Sequence, residues 1–174
     1  MQKVSKRERT ARRAAAAVST VLALDGLLHL YWATGATWPA RDRLGLSLAV
    51  LGMDVPFAPR DLLPLATLLL TGAGIVQARV RLGRGHRWGR VLQAGTTMVA
   101  AGVSARAAAG LVWMCGIEAG LDERAGATFQ WLNACLYTPL SLVTAAGAIL
   151  VVRSGRTSPT AAPAERMEDF SRAR

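Results

Sequence analysis

Asp25 and His29 lie inside "VLALDGLLHLYWATG" (21–35), and Arg106 lies inside another apolar run, all at positions where a bilayer-spanning helix would carry aliphatic side chains. A four-residue spacing puts Asp25 and His29 on one helical face, one turn apart, and Trp32 extends that face. A charge facing lipid near mid-bilayer costs about 2.5–3.5 kcal/mol, so such groups turn inward and pair. The natural partner of Arg106 is Asp25, because a guanidinium reaches a carboxylate with two parallel hydrogen bonds and each neutralises the other. His29 then either completes the network or stands as a proton acceptor near neutral pH.

A later run adds Asn133, Tyr137 and Ser141 at four-residue spacing, with Pro139 removing one helical hydrogen bond and freeing the carbonyl of Cys135. Gly102 and Gly110 flank Arg106 by one turn each, leaving room for a neighbouring helix. The candidate cluster is therefore Asp25, His29, Trp32, Arg106, Asn133 and Tyr137. Three readings stay open. The cluster fixes helix register, or it binds a small or lipidic molecule, or it belongs to a membrane-embedded enzyme acting on a lipophilic substrate. The enzyme would use His29 as acid or base, Asp25 to orient it and Arg106 to stabilise an anion. No nucleophile elbow, HExxH motif or phosphate-binding loop is present, so catalytic residues stay unassigned. No cofactor and no metal is expected, since the second histidine, His86, falls on the opposite side of the membrane from His29.

Those residues need helices to hold them. The 174-residue chain is 52% hydrophobic but only 6% aromatic, with a formal charge of +10. Its apolar residues gather in four runs, about 14–35, 62–78, 91–114 and 132–152, each near the roughly 17–25 residues a hydrocarbon core requires. A soluble bundle is excluded because "LLPLATLLL" has no polar face. The expected fold is all-α: a polytopic membrane protein with four transmembrane helices forming a domain over 14–152, after a basic N-terminus (1–13) and before a disordered cytoplasmic tail (153–174). The first run is too long, and too interrupted by ionisable residues, for a cleaved signal peptide, although "KRERTARR" precedes it.

Basic residues crowd 1–13 and the link "RVRLGRGHRWGR" (79–90), whereas links 36–61 and 115–130 are poorer in them. The positive-inside rule then puts both termini in the cytoplasm, in a multi-pass protein of the cell membrane. The Arg-rich turn suits anionic headgroups, with Trp88 at the interface. No nucleic-acid module accompanies the arginines, so nucleic acid is not expected as a partner. Within the longer outer link, "LGLSLAVLGM" (44–53) is too short to span and either anchors in the interface or folds back over the bundle. Ala101, Ala105 and Ala109, with Ala100, Ser104 and Ala108 beside them, suggest a central third helix with close neighbours, either within the chain or in a membrane-protein partner or homo-oligomer. Cys115 and Cys135 both fall toward the outer side, where either free thiols or a disulfide would fit.

"LHLYWATGATWP" (28–39), followed by "FQWLNACLYTPLSLVTAAGAIL" (129–150), resembles a family of small bacterial membrane proteins known as the domain of unknown function 3995 family. The resemblance covers roughly residues 15–152 and implies four spans, with His29, Tyr31, Trp32, Tyr137 and Pro139 as family-pattern positions. In that pattern an Asp commonly stands where Asn133 stands here, and a Gly pair where Ala36 and its neighbour fall. These departures weaken any mechanism that needs a second outer-leaflet carboxylate. The resemblance supplies no activity.

Overall fold

From Lys6 to Asp25 the chain has neither glycine nor proline and is rich in alanine, leucine and arginine, all good helix formers. It forms α1 (Lys6–Ala33), which ends where Gly35 takes a positive φ. The other elements are α2 (Arg43–Leu51), α3 (Pro59–Leu82), α4 (Gly89–Met114), α5 (Ala127–Leu132), a π turn (Asn133–Tyr137) and α6 (Thr138–Ser154). The computed structural model describes residues 6–83 and 85–154, which are all-helical with no strand among them. Among the described residues four helices are long and apolar enough to cross a membrane: α1, α3, α4 and the composite Ala127–Ser154. The chain is a multi-pass membrane protein. Residues 1–5 of the basic N-terminus, Arg84 of the basic link and residues 155–174 of the expected tail lie outside the described residues.

The helices overrun the apolar runs at both ends. α1 starts within the basic stretch, and α3 continues through Arg79 and Arg81. Arg79, expected in the Arg-rich turn at the headgroups, is instead buried in the bundle. Its Nε donates to Gln93 Oε1 at 2.9 Å, and Gln93 Nε2 donates to the carbonyl of Val152 at 3.4 Å, so one polar chain ties α3, α4 and α6 together near the termini.

The four spans form a ring. α1 packs on α3 and α6, and α4 packs on the same two from the other side. Small residues set the spacing, because in lipid close backbone approach replaces hydrophobic exclusion as the source of packing. Ala15, Val18, Ala73, Val76, Ala148 and Val151 interlock near the termini. A methyl placed on Gly26 would meet Leu70 Cγ at 2.9 Å, and one on Gly147 would meet Val18 Cγ2 at 2.9 Å. Ser19 Oγ adds a hydrogen bond to the carbonyl of Ala73 at 2.9 Å.

The alanine stripe of α4 does not make that helix central. α4 has the least buried apolar window of the four spans, and Ala101, Ala105 and Ala108 are exposed, whereas Ala100, Ala107 and Gly110 are buried. Small residues permit close approach but do not choose which face is approached.

At the other end of the bundle, α2 folds back as a cap. Asp42 caps it, its Oδ1 accepting from the Gly45 amide at 2.7 Å, and Gly52 ends it with φ of 68°. Leu46 enters a cluster with Trp32, Phe57 and Leu62, joining α2 to α1 and α3. Phe57 holds a left-handed backbone (φ 44°) and buries its ring there. A left-handed residue of this type costs about 1–2 kcal/mol, while burying a large apolar side chain contributes about 1.5–3 kcal/mol, so the burial carries the strain. A second contact crosses to loop 115–126. The Asp122 amide donates to the carbonyl of Gly52 at 2.8 Å, and Arg124 bonds both Asp54 (2.8 Å) and Asp122 (2.9 Å). Hydrogen bonds from Arg124 hold the Asp122 carboxyl below the usual carboxylate range, and Asp122 with Asp54 pushes the guanidinium of Arg124 up.

Candidate polar site in the α2 half of the bundle

Pro139 cannot donate to the helix, and the turn before it opens into the π turn, in which the Thr138 amide donates to the carbonyl of Asn133. The extra residue rotates the chain, so Asn133 and Thr138, five apart, point the same way into the bundle. Asn133 is 2% exposed and fully engaged. Its Nδ2 donates to the carbonyl of Gly110 at 3.0 Å, and its Oδ1 accepts from Thr138 Oγ1 at 3.1 Å and from Arg106 NH1 and NH2 at 3.4 and 3.5 Å. Gly110 is required at this crossing: a methyl there would overlap the Thr138 hydroxyl.

Arg106 is half-buried. Its guanidinium lies 5.2 Å from the centroid of Trp113 and 5.8 Å from that of Tyr137, within the range of cation–π attraction. The expected ion pair with Asp25 does not form: no carboxylate of the described residues lies within 4 Å of Arg106. Asp25, Arg106 and Tyr137 are nonetheless electrostatic neighbours. The reason is which helices are neighbours. α1 and α4 face one another across the ring rather than side by side, and the Asp25 side chain, 49% exposed, turns back to His29.

His29 is buried. Its Nδ1 lies 2.8 Å from the carbonyl of Asp25 and 3.3 Å from the Asp25 carboxylate, and its ring meets Trp32 edge-on at 5.2 Å. Trp32 donates to the carbonyl of Trp38 at 2.9 Å and packs on Phe57, which makes it part of the α2 cap. The six sequence-selected residues thus fall into two groups, Asp25, His29 and Trp32 on α1 and Arg106, Asn133 and Tyr137 on α4 and the π turn. Asp25 faces both.

Two participants escaped the sequence reading. Thr138 was hidden by the π turn, which replaces a four-residue period with five; Pro139 beside it was the available signal. Trp113 stands seven residues from Arg106, two turns along one face, and that spacing would have found it. Beside this group lies a cavity of about 260 Å³ whose wall includes Trp113, Phe129, Asn133 and Glu118. Cys115 and Cys135 are both free and exposed. Among the described residues no group of histidine, cysteine and carboxylate side chains is gathered as a metal site would require.

A family model described as a protein of unknown function (DUF3995) matches residues 8–151. No curated protein and no solved structure matches the chain.

Proposed function

The chain belongs to the DUF3995 family, whose description assigns no activity, and from that premise we propose that it is a binding component of the cell membrane whose polar cluster takes a small or lipidic molecule. One observation carries this reading: Arg106 stands within an apolar span with two aromatic faces and an amide oxygen beside it, but no carboxylate within ion-pair distance among the described residues. A purely structural arginine at that depth would be neutralised by its own protein, because an uncompensated charge is costly there. Asp25 is close enough to act on it yet is turned elsewhere. A ligand that meets both groups gives the arrangement a purpose.

The orientation follows from charge. Arg7, Arg9, Arg12, Arg13, Arg81, Arg87, Arg90 and Arg153 all belong to the end that carries both termini, which under the positive-inside rule is cytoplasmic. Arg87, 5.6 Å from the centroid of Trp88, and its neighbours then meet anionic headgroups at that face. The polar cluster belongs to the outer half. The exposed alanines of α4 leave a face for a membrane-protein partner or a second copy.

An enzyme acting on a lipophilic substrate is the second reading. It rests on His29: with Nδ1 held by Asp25, its Nε2 has no hydrogen-bond partner among the described residues, as a general acid or base requires. Purification in mild detergent, followed by mass spectrometry of retained small molecules, tests the binding reading. A retained molecule displaced by His29→Ala supports it. A stable complex with another membrane protein, unaffected by that substitution and free of small molecules, would replace it with a structural role.

A further inference from the structure

The close approach of α3 and α4 near the termini is not repeated at Gly102. Near the termini the two helices touch: a methyl on Gly95 would lie 2.9 Å from Ile75 Cγ2, and one on Gly72 would lie 3.2 Å from Val99 Cγ2. Gly102 is on the same α4 face as Gly95, seven residues further, yet a methyl there would meet nothing within 4 Å. Across the gap, Leu68 follows Gly72 by one turn on the α3 face and is 68% exposed. The next turn of α4 presents Arg106. On α1, the turn that packs on Leu70 of α3 holds Gly26, with Asp25 beside it. A lateral opening from the bilayer between α3 and α4 therefore lies at the depth of two opposite charges that do not pair with each other.

We propose that this opening admits a zwitterionic amphiphile of the bilayer, its anionic oxygen on Arg106, its ammonium on Asp25 and its apolar chain leaving past Gly102. This rests on the reading of the polar cluster as a binding site. The charges select the ligand class. A purely anionic head would gain Arg106 but meet the repulsion of Asp25, and a purely cationic one the reverse. A head with both, such as a phosphate linked to a primary amine, bridges a carboxylate and a guanidinium that lie more than 4 Å apart yet within electrostatic range. A primary ammonium can donate to Asp25, whereas a quaternary one has no N–H to give. Trp113 and Tyr137 keep the guanidinium placed toward the π turn.

The test is native mass spectrometry of the full-length protein with phosphatidylethanolamine, phosphatidylglycerol and phosphatidylcholine of equal chain length, and with soluble phosphoethanolamine. Wild type is expected to retain phosphatidylethanolamine about tenfold over the other two, the worth of one charged hydrogen bond. Asp25→Asn should remove that preference, and Arg106→Gln should weaken retention about tenfold. Gly102→Leu, which fills open space and leaves the circular dichroism melt unchanged, should also weaken it about tenfold. The Arg-rich end binds phosphatidylglycerol in every variant alike, so only differences between variants are read. Equal retention of the three lipids by wild type, or wild-type behaviour of both Asp25→Asn and Gly102→Leu, overturns the inference. Soluble phosphoethanolamine binding as well as the lipid overturns the lipidic source. A different retained molecule that His29→Ala displaces overturns this inference but leaves the binding reading intact, and no retained molecule at all overturns both.

Discussion

Replacing Asn133 with leucine removes the hub of the polar site while conserving volume, and its cost can be worked from the contacts. The amide makes two well-formed bonds, to the Gly110 carbonyl at 3.0 Å and from Thr138 Oγ1 at 3.1 Å. Hydrogen bonds between membrane helices average about 0.6 kcal/mol and reach about 1.7 kcal/mol, so these two contribute about 1–3 kcal/mol. The Arg106 contacts at 3.4 and 3.5 Å are at the edge of bonding distance and add little directly. Their loss still leaves a half-buried guanidinium with only two aromatic faces. The expected destabilisation is about 2–4 kcal/mol, measured as unfolding free energy in lipid nanodiscs. Thr138→Val should cost less, about 1 kcal/mol, because it removes one bond and keeps the shape. If Asn133→Leu unfolds within about 0.5 kcal/mol of wild type, the π turn is not held by this side chain and the reasoning fails.

Gly52→Ala should destabilise the cap by about 2–4 kcal/mol, since the residue is left-handed and its methyl would lie 2.7 Å from Leu121 Cδ2 and 2.9 Å from Phe129 Cε1; a melting temperature equal to wild type would show that the cap yields. The Asp122 carboxyl is depressed by hydrogen bonds from Arg124, so its contribution is present above the unfolded carboxylate value of about 4 and is lost as pH falls through the lower folded value. Exchange of the Asp122 amide should then be slower in wild type than in Asp122→Asn at neutral pH, and the two should converge in acid. Reporter fusions after residue 88 and after the C-terminus should read cytoplasmic and one after residue 122 external; an external reading at residue 88 would invert the orientation and move the site to the inner leaflet.

Hydropathy alone located the four spans, because a bilayer demands long apolar runs and these stand apart from the basic links. It missed their true ends: Arg79 is helical and internal, since Gln93 supplies an acceptor that hydropathy does not weigh. Spacing put Asp25, His29, Arg106 and Asn133 at similar depth, but the Asp25 side chain it turned inward is 49% exposed, and spacing carries no information about which helices are neighbours. The expected Asp25–Arg106 pair failed on that point, as did the central position of α4. For Thr138 the obstacle was local, because a π turn breaks the period on which every helical-face argument rests. The apolar stretch 44–53 reads as too short to span, either anchored in the interface or folded back over the bundle; its packing on Trp32 and Phe57 required the fold.

The account turns on Arg106 and Asp25 being kept for something other than each other. Unfolding free energies of wild type, Asp25→Leu, Arg106→Leu and the double variant, measured in one lipid nanodisc composition, address this directly. The account predicts a coupling below about 1 kcal/mol, the double variant costing the sum of the singles. Single substitutions that each cost about 3–5 kcal/mol, with the double variant recovering most of it, would be the signature of a structural ion pair and would contradict the account.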